Sequence, residues 1–589
     1  MANTREVQEG SDGAGQLQAP ASCAAAGDRD YRQTQESRLF ASTRKNTFGQ
    51  LASTVAMVLS ILLVGEIFHV GFEKNLVGTI GQEAWGRHIF GFGAALTQSR
   101  WGIGGYVVDS AIEERLQNEG LTDFPAILRY FGITYPDNLR DERLMQKALE
   151  QARDFDTTPP QNGYQRLRGS HGDDVGIATF TILSFTLFGV KVSSLYYTYF
   201  VLLCFTIILF VLSHYRSRVA MASLALLVLA LYVLATSDLV NFTREIGPHR
   251  GAVGIDFKDP RFFGTLAAIP ALHMLLTWIR PHYEISKLHY LLLIGQASVL
   301  ALVINVRGPV LWLIFALCIY WILCIARRRT PHHLRELCRW RSARSFFPTG
   351  TFALFVGGGI IVSAMAAHPV YRIDGDLVHH PLWHNVMISL EMNPEWKAKY
   401  LPSVNGTEVD EMPREIAKQA IAKLPPDQRS QYLARGGWPT PSAVMLFARE
   451  RFFDILRNDP SFVLHTFTID LPKLIFLTAS GFYLTLLQVG SLTVLITVVT
   501  LGVIVWVARQ DPDAPIVLPP LVRAVGSFSL IALLPCFIGP PRPLIMIDHF
   551  LWFLFFLCLL ACYVGVRLVA GLQTAAAASE PPSGAMIQL

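Results

Sequence analysis

A chain of 589 residues that is 51% hydrophobic and only 16% charged, with a mean hydropathy of +0.36, is too apolar for a soluble protein of this length. It reads as an all-α polytopic membrane protein. The formal charge of +5 is small and the basic residues are clustered, which speaks for membrane topology and against a nucleic-acid partner.

Residues 1–46 are rich in Ala, Gly, Gln, Ser and charge with no apolar period, the composition of a disordered tail, expected in the cytoplasm. A membrane domain is expected over 47–570 and a second cytoplasmic tail over 571–589. The run from about Leu51 to Val70 is longer than a signal-peptide core and lies too far from Met1, so it is the first membrane helix. Glu66 and His69 share one face near its outer end.

A polar loop follows over 71–175. Val108, Ile112 and Leu116 predict a helix over 106–118, and Leu144, Ala148, Leu149 and Ala152 predict another over 141–155. Apolar runs then fall at about 193–214, 217–238, 262–280, 287–305, 308–325 and 346–366. Arg327, Arg328, Arg329, Arg335, Arg339, Arg341 and Arg344 belong on the cytoplasmic side by the positive-inside rule. Counting back from them, the segment 176–190 enters the membrane without crossing, and the 71–175 loop lies outside.

Counting forward, a second polar loop over 367–470 is also outside. Pro413 opens a helix there, and an amphipathic segment from Ala443 to Leu456 is stopped by Asn458-Asp459-Pro460. An interfacial piece over 471–484 and spans at about 486–508, 521–538 and 548–570 complete about ten crossings, the count that apolar lengths near 20 residues allow. Both termini are then cytoplasmic, in a plasma (inner) membrane. The eight cysteines, Cys23, Cys204, Cys318, Cys324, Cys338, Cys536, Cys558 and Cys562, lie outside both polar loops. Neither a disulfide framework nor a cysteine metal knuckle is expected.

Polar groups gather at the outer ends of these runs. Asp173 and Asp174 stand at the mouth of the apolar segment ending at Gly189, where acid is costly unless it faces water, a partner or a substrate. A helix cap uses only one such carboxylate. Glu83 and Arg87 are four apart on one helix face, either a surface ion pair or the start of a site. Neighbouring like charges push one carboxyl pKa upward, the setting of a general base or a cation binder.

In the second loop Asp376, His379, His380 and His384 make a cluster suited to a divalent cation, magnesium or manganese, or to a phosphate, with local hydrogen bonding as the plain alternative. Arg261 sits with Asp256, Lys258 and Asp259 before the 262–280 span, in ion pairs or on substrate. Arg542, ahead of the last span, is placed to hold a lipid phosphate by charge-assisted hydrogen bonds or to snorkel to headgroups.

The layout resembles the GT-C superfamily of membrane glycosyltransferases, which draw sugars from polyprenyl-phosphate carriers. The likeness rests on Gln82-Glu83-Ala84-Trp85-Gly86-Arg87 after the first span, on the loop closing into a segment that ends Leu187-Phe188-Gly189, on Ala448–Phe462 leading back to the membrane, and on Arg542 before a late helix. It implies a helical bundle with amphipathic outer helices cupping a site at the bilayer face. The implied reaction is inverting sugar transfer to an envelope glycan, lipid or protein, with Glu83 as base and Arg542 near the lipid phosphate. Where relatives often carry prolines this chain has Asp173 and Asp174, which on the physical argument above are further candidates for the base, as Arg87, Arg261 and His384 are for the phosphate. Two other classes stay open on the residues alone: a transporter or flippase of a lipid-linked or anionic solute, which would carry ionisable groups deeper in the membrane, and a catalytically silent scaffold.

Overall fold

The structure, a computed structural model, describes residues 50–69, 106–109, part of 141–150, 167–170, 176–190, 193–236, 260–279, 287–306, 310–328, part of 350–365, 382–390, 393–400, 412–433, 439–473, 491–511, 514–534 and 547–579. The chain divides into two units, Met1–Ala52 and Ser53–Leu589. Of the first, the described residues 50–52 are helical.

Among the described residues six helices are long and apolar enough to cross a membrane: α1 (Gln50–His69), α3 (Ser193–His214), α4 (Arg218–Thr236), the 3-10 helix Pro260–Ala267 continuing into α5 (Ala268–Ile279), α6 (Lys287–Val306) and α15 (Ile547–Ser579). Shorter apolar helices join them: α2 (Gly176–Phe188), α7 (Val310–Arg328), α8 (Gly350–Gly359), α13 (Ser491–Arg509) and α14 (Ala514–Leu533). Each expected span therefore has an apolar helix in it, and α2 marks the expected non-crossing segment.

Burial ranks these helices. The apolar window of α4 is 89% buried and that of α15 only 28%, so α4 sits inside the bundle and α15 on its rim. Rim faces carry side chains such as Leu291, Leu354 and Leu530 at 65–71% exposure. A face of that kind is stable against lipid and a liability in water.

Contacts sort the helix ends into two sets. At one, Thr54 Oγ1 meets the Tyr215 hydroxyl at 2.9 Å, the Val219 backbone N–H donates to Asp511 Oδ2 at 3.1 Å, and the Arg218 guanidinium donates to the Gln510 carbonyl. Asp511 thus caps the start of α4 with a carboxylate, which its orphan N–H groups and dipole both favour. At the other, Tyr199 and Thr265 share a hydroxyl hydrogen bond of 2.9 Å, and the Ser529 hydroxyl donates to the Trp552 carbonyl at 3.1 Å. This is the pattern of a bundle whose successive helices alternate direction.

Two expectations need correction. Where a helix was expected from residue 106, Tyr106–Asp109 is a strand, β1, paired antiparallel with β2 (Leu167–Ser170), Tyr106 opposite Ser170 and Asp109 opposite Leu167. The β-branched pair Val107-Val108 favours extended backbone there, and 110–118 lie outside the described residues. Apart from this pair of four-residue strands the described elements are helical, so the all-α class stands. Second, α14 starts at Ala514 and not near 521, carrying Pro519 and Pro520 inside it, and α15 runs on through the Ala-rich tail to Ser579, Ala being the best helix former. The helix expected over 141–155 is seen at Arg143, Leu144, Gln146, Lys147 and Glu150, with Asp141 Oδ1 accepting from the N–H groups of residues 143 and 144.

The second long loop folds around its own core. It holds α9 (Leu382–Leu390), the short turn Trp396–Tyr400, α10 (Met412–Ala422), α11 (Pro441–Asn458) and α12 (Pro460–His465). Pro413 stands in the first turn of α10, and Thr440 caps α11 by accepting from Ala443 N–H. Buried Met387, Leu390, Trp396, Met412, Ile416, Ala448, Ile455, Phe462 and Val463 form one cluster. Ala417, Ile421, Ala443, Val444 and Phe447 form a second beside it.

Candidate functional site at one end of the bundle

α2 is short for a crossing. Its 13 residues span about 20 Å at 1.5 Å per residue, short of the ~30 Å hydrocarbon core. Gly176 opens it against the α6 backbone: a Cβ there would lie 2.4 Å from the Asn305 carbonyl carbon. Gly189 ends it at φ 86°, the left-handed cap only glycine adopts cheaply. The Ser194 hydroxyl then donates to the Gly189 carbonyl at 2.6 Å, fixing the start of α3.

Rings fasten α2 to the segment carrying Arg261. Phe180 of α2 stacks on Phe263 at 4.8 Å, and Tyr199 of α3 meets Phe262 and Phe263 at 5.6 and 5.7 Å. The Tyr199–Thr265 hydrogen bond satisfies the phenol within this apolar floor. α3, α6 and α15 all pack on Pro260–Ala267. Elements that adjoin three sequence-predicted positions are thus joined: α2 follows Asp173 and Asp174, the 3-10 helix contains Arg261, and α15 follows Arg542.

The backbone of Arg261 is placed in that 3-10 helix. His384 is buried on α9 and 5% exposed, inside the second-loop domain and not on an open surface. Glu83, Arg87, Asp173, Asp174, Asp376, His380 and Arg542 lie outside the described residues, as does the expected interfacial piece beyond Lys473. Among the described residues no group of three His, Cys, Asp or Glu side chains is arranged to hold a metal ion.

At the opposite end of the bundle the structure brings together three histidines that the sequence reading passed over. His214 of α3, His273 of α5 and His289 of α6 are 0–3% exposed. Their ring centroids lie 4.7 Å (His214–His273), 5.0 Å (His273–His289) and 5.7 Å (His214–His289) apart, with Phe210 against His214 at 4.8 Å. Neither ring nitrogen of His273 has a hydrogen-bond partner among the described residues. Nearby in the same layer of helices, the Gln296 amide donates to the Thr206 carbonyl at 2.9 Å. An ionisable side chain inside an apolar helix was the available signal, but each helix carries only one of the three rings.

Lipid-facing apolar helices around a buried centre define a multi-pass α-helical membrane protein. Compared with protein-family models, curated proteins and solved structures, the chain matches none.

Proposed function

We propose that the chain is a membrane glycosyltransferase that moves a sugar from a polyprenyl-phosphate or -pyrophosphate donor to a cell-envelope acceptor on the outer face. A carboxylate among Glu83, Asp173 and Asp174 takes the proton of the acceptor hydroxyl as its oxygen bonds to the sugar's anomeric carbon. The anomeric carbon–phosphate oxygen bond breaks, and the electron pair leaves with the lipid phosphate. Arg87, Arg261 and Arg542 would offset the charge that develops there. The observation that carries this reading is the joining of α2, the Arg261 segment and α15 at one end of the bundle. The non-crossing α2 supports it, because a returning helix sets the residues before it at a membrane face.

The test is separate replacement of Glu83→Gln, Asp173→Asn and Asp174→Asn in the native host, with envelope glycans profiled by mass spectrometry. Loss of one glycan or glycolipid in at least one variant, with the protein still present in the membrane, supports the reading. Survival of every product in all three rejects it.

A transporter or flippase of a lipid-linked or anionic solute is favoured by a different observation, the three buried histidines. Ionisable groups inside a helical bundle serve as proton relays in such proteins. Vesicles holding the protein would then move a labelled lipid-linked sugar without chemical change, and His273→Leu would abolish that movement. The carboxylate variants and the histidine variant therefore separate the two readings.

A further inference from the structure

The second-loop domain is two-faced. α10 and the following turn, Pro426–Arg429, present charge outward: Arg414, Gln419, Lys423, Asp427 and Gln428 are exposed. Among the described residues from 382 to 473, every large exposed hydrophobic lies elsewhere, at the start of α9 or along the second half of α11 and its continuation: Leu382, Phe453, Leu456, Leu464 and Ile469.

Geometry gathers these positions. Phe453 and Leu456 are three apart on α11 and so share a face. Asp459, at φ −144° and ψ 67°, breaks the helix, and Pro460 opens α12 directly after it. Phe462 and Val463 of α12 nevertheless pack into the same buried cluster as Ala448 and Ile455 of α11, so the two helices share a core and carry their exposed residues away from it. Leu464 is exposed on α12 and Ile469 on the π-helical turn Thr466–Asp470 that follows. From α9, Trp383 stacks on Phe453 at 5.2 Å and brings Leu382 to the row.

Exposed Arg449 and Arg457 stand on α11 four residues either side of Phe453, and exposed Lys473 follows the π turn; one exposed carboxylate, Glu450, stands three residues before Phe453, which leaves the surroundings net cationic. Leu464 is 64% and Ile469 50% exposed, much apolar surface to leave in water on adjoining elements of one domain. The chain leaves this domain at both ends into apolar helices, α8 before it and α13 after it, so its covalent ends are tied to the membrane. An apolar row with cationic flanks fits a phosphate-headed lipid surface.

We infer that this stripe is a membrane-docking face: the domain lies on the bilayer with Phe453, Leu456, Leu464 and Ile469 among the acyl chains and Arg449, Arg457 and Lys473 at the phosphates. The inference does not depend on which reaction, if any, the protein performs. It orients the domain, turning the charged α10 face to the aqueous side.

The full chain carries p-benzoylphenylalanine in place of Phe453, Leu464 or, as the water-facing control, Lys423. Each version is reconstituted in vesicles of phosphatidylethanolamine and phosphatidylglycerol and irradiated, and the labelled peptides are weighed. All three positions are exposed and none belongs to a buried cluster. Lipid adducts severalfold more abundant at 453 and 464 than at 423 are expected. The combined Arg449→Glu and Arg457→Glu change should lower the adduct yield at 453 in these anionic vesicles. Equal yields at all three positions overturn the proposal, as do cross-links that run only to a second copy of the chain or to another protein.

Discussion

Asp459 shows how a single carboxylate closes the second-loop domain. It accepts from the Lys399 ammonium, from the Tyr400 hydroxyl at 2.7 Å, from the Ser461 hydroxyl at 2.8 Å and from the Phe462 backbone N–H at 3.2 Å. These donors, Lys399 first, hold its carboxyl well below the usual carboxylate range. A depressed folded pKa contributes stability that is present above about pH 4 and lost only as acid protonates the group. Tyr400 carries the reciprocal effect: partial burial, followed by its bond to Asp459, pushes its phenol up to about 12. That contribution is present below about pH 10 and lost as pH rises from there toward the folded value. Tyr400→Phe should therefore delete one late-titrating phenolate from the ultraviolet absorbance titration while leaving the midpoints of the others in place. His273 makes a second residue-scale test. Its ring is buried and its nitrogens lack hydrogen bonds among the described residues, so His273→Leu should leave the unfolding temperature in detergent unchanged or higher. His273→Ala, which opens a cavity, should cost roughly 2–4 kcal/mol. The cluster was illegible in sequence because each histidine stands alone in an apolar run, and only tertiary packing tells which runs are neighbours.

Elements whose ends are fixed by local chemistry were the ones the sequence disclosed. Pro413 and the Asn458-Asp459-Pro460 stop mark helix boundaries through backbone sterics and capping, and α10 and α11 fall where those residues place them. At residues 106–109 the expected helix gives way to a strand, because Val107 and Val108 fit extended backbone and the pairing that selects the strand comes from Leu167–Ser170, far along the chain; Ile112 and Leu116 lie outside the described residues. For the candidate site the legible part was the shortness of the segment over 176–190; Asp173 and Asp174 before it lie outside the described residues. Its joining to the Arg261 segment was not, since ring contacts between Phe180 and Phe263 leave no mark on either stretch alone. Two glycines then make that joining testable. Gly189→Ala forces a side chain into a φ of 86° and should cost about 1–2 kcal/mol, read as a lower unfolding temperature. Gly176→Ala brings a Cβ into the Asn305 backbone, which cannot swing aside like a side-chain tip. It should displace α2 from α6 and show as new protease cleavage near the start of α2.

At the scale of the molecule, one set of contacts ties the start of α1, the end of α3, the start of α4 and the end of α13 together. Such a meeting requires that helices between them run an even number of lengths, which the expected alternation supplies and which a single misassigned span would break. Contacts give the two ends but no sign; the sign comes from the basic residues between 327 and 344 and the positive-inside rule. If that sign holds, the 412–433 stretch is outside and Gln510 is inside. Lys423→Cys should react with a membrane-impermeant maleimide in intact cells, above the parent chain's background, and Gln510→Cys only after permeabilisation. Cys204 and Cys318 are exposed on apolar helices, where lipid would shield them from a charged reagent, so the parent background should stay low. The reverse pattern would place the arginine run and both termini on the outer face, and would move α2 and the Arg261 segment to the cytoplasmic side. A donor and acceptor would then have to be sought among cytoplasmic lipids and nucleotide-linked sugars, so the labelling of two cysteines decides on which side of the membrane the proposed chemistry takes place.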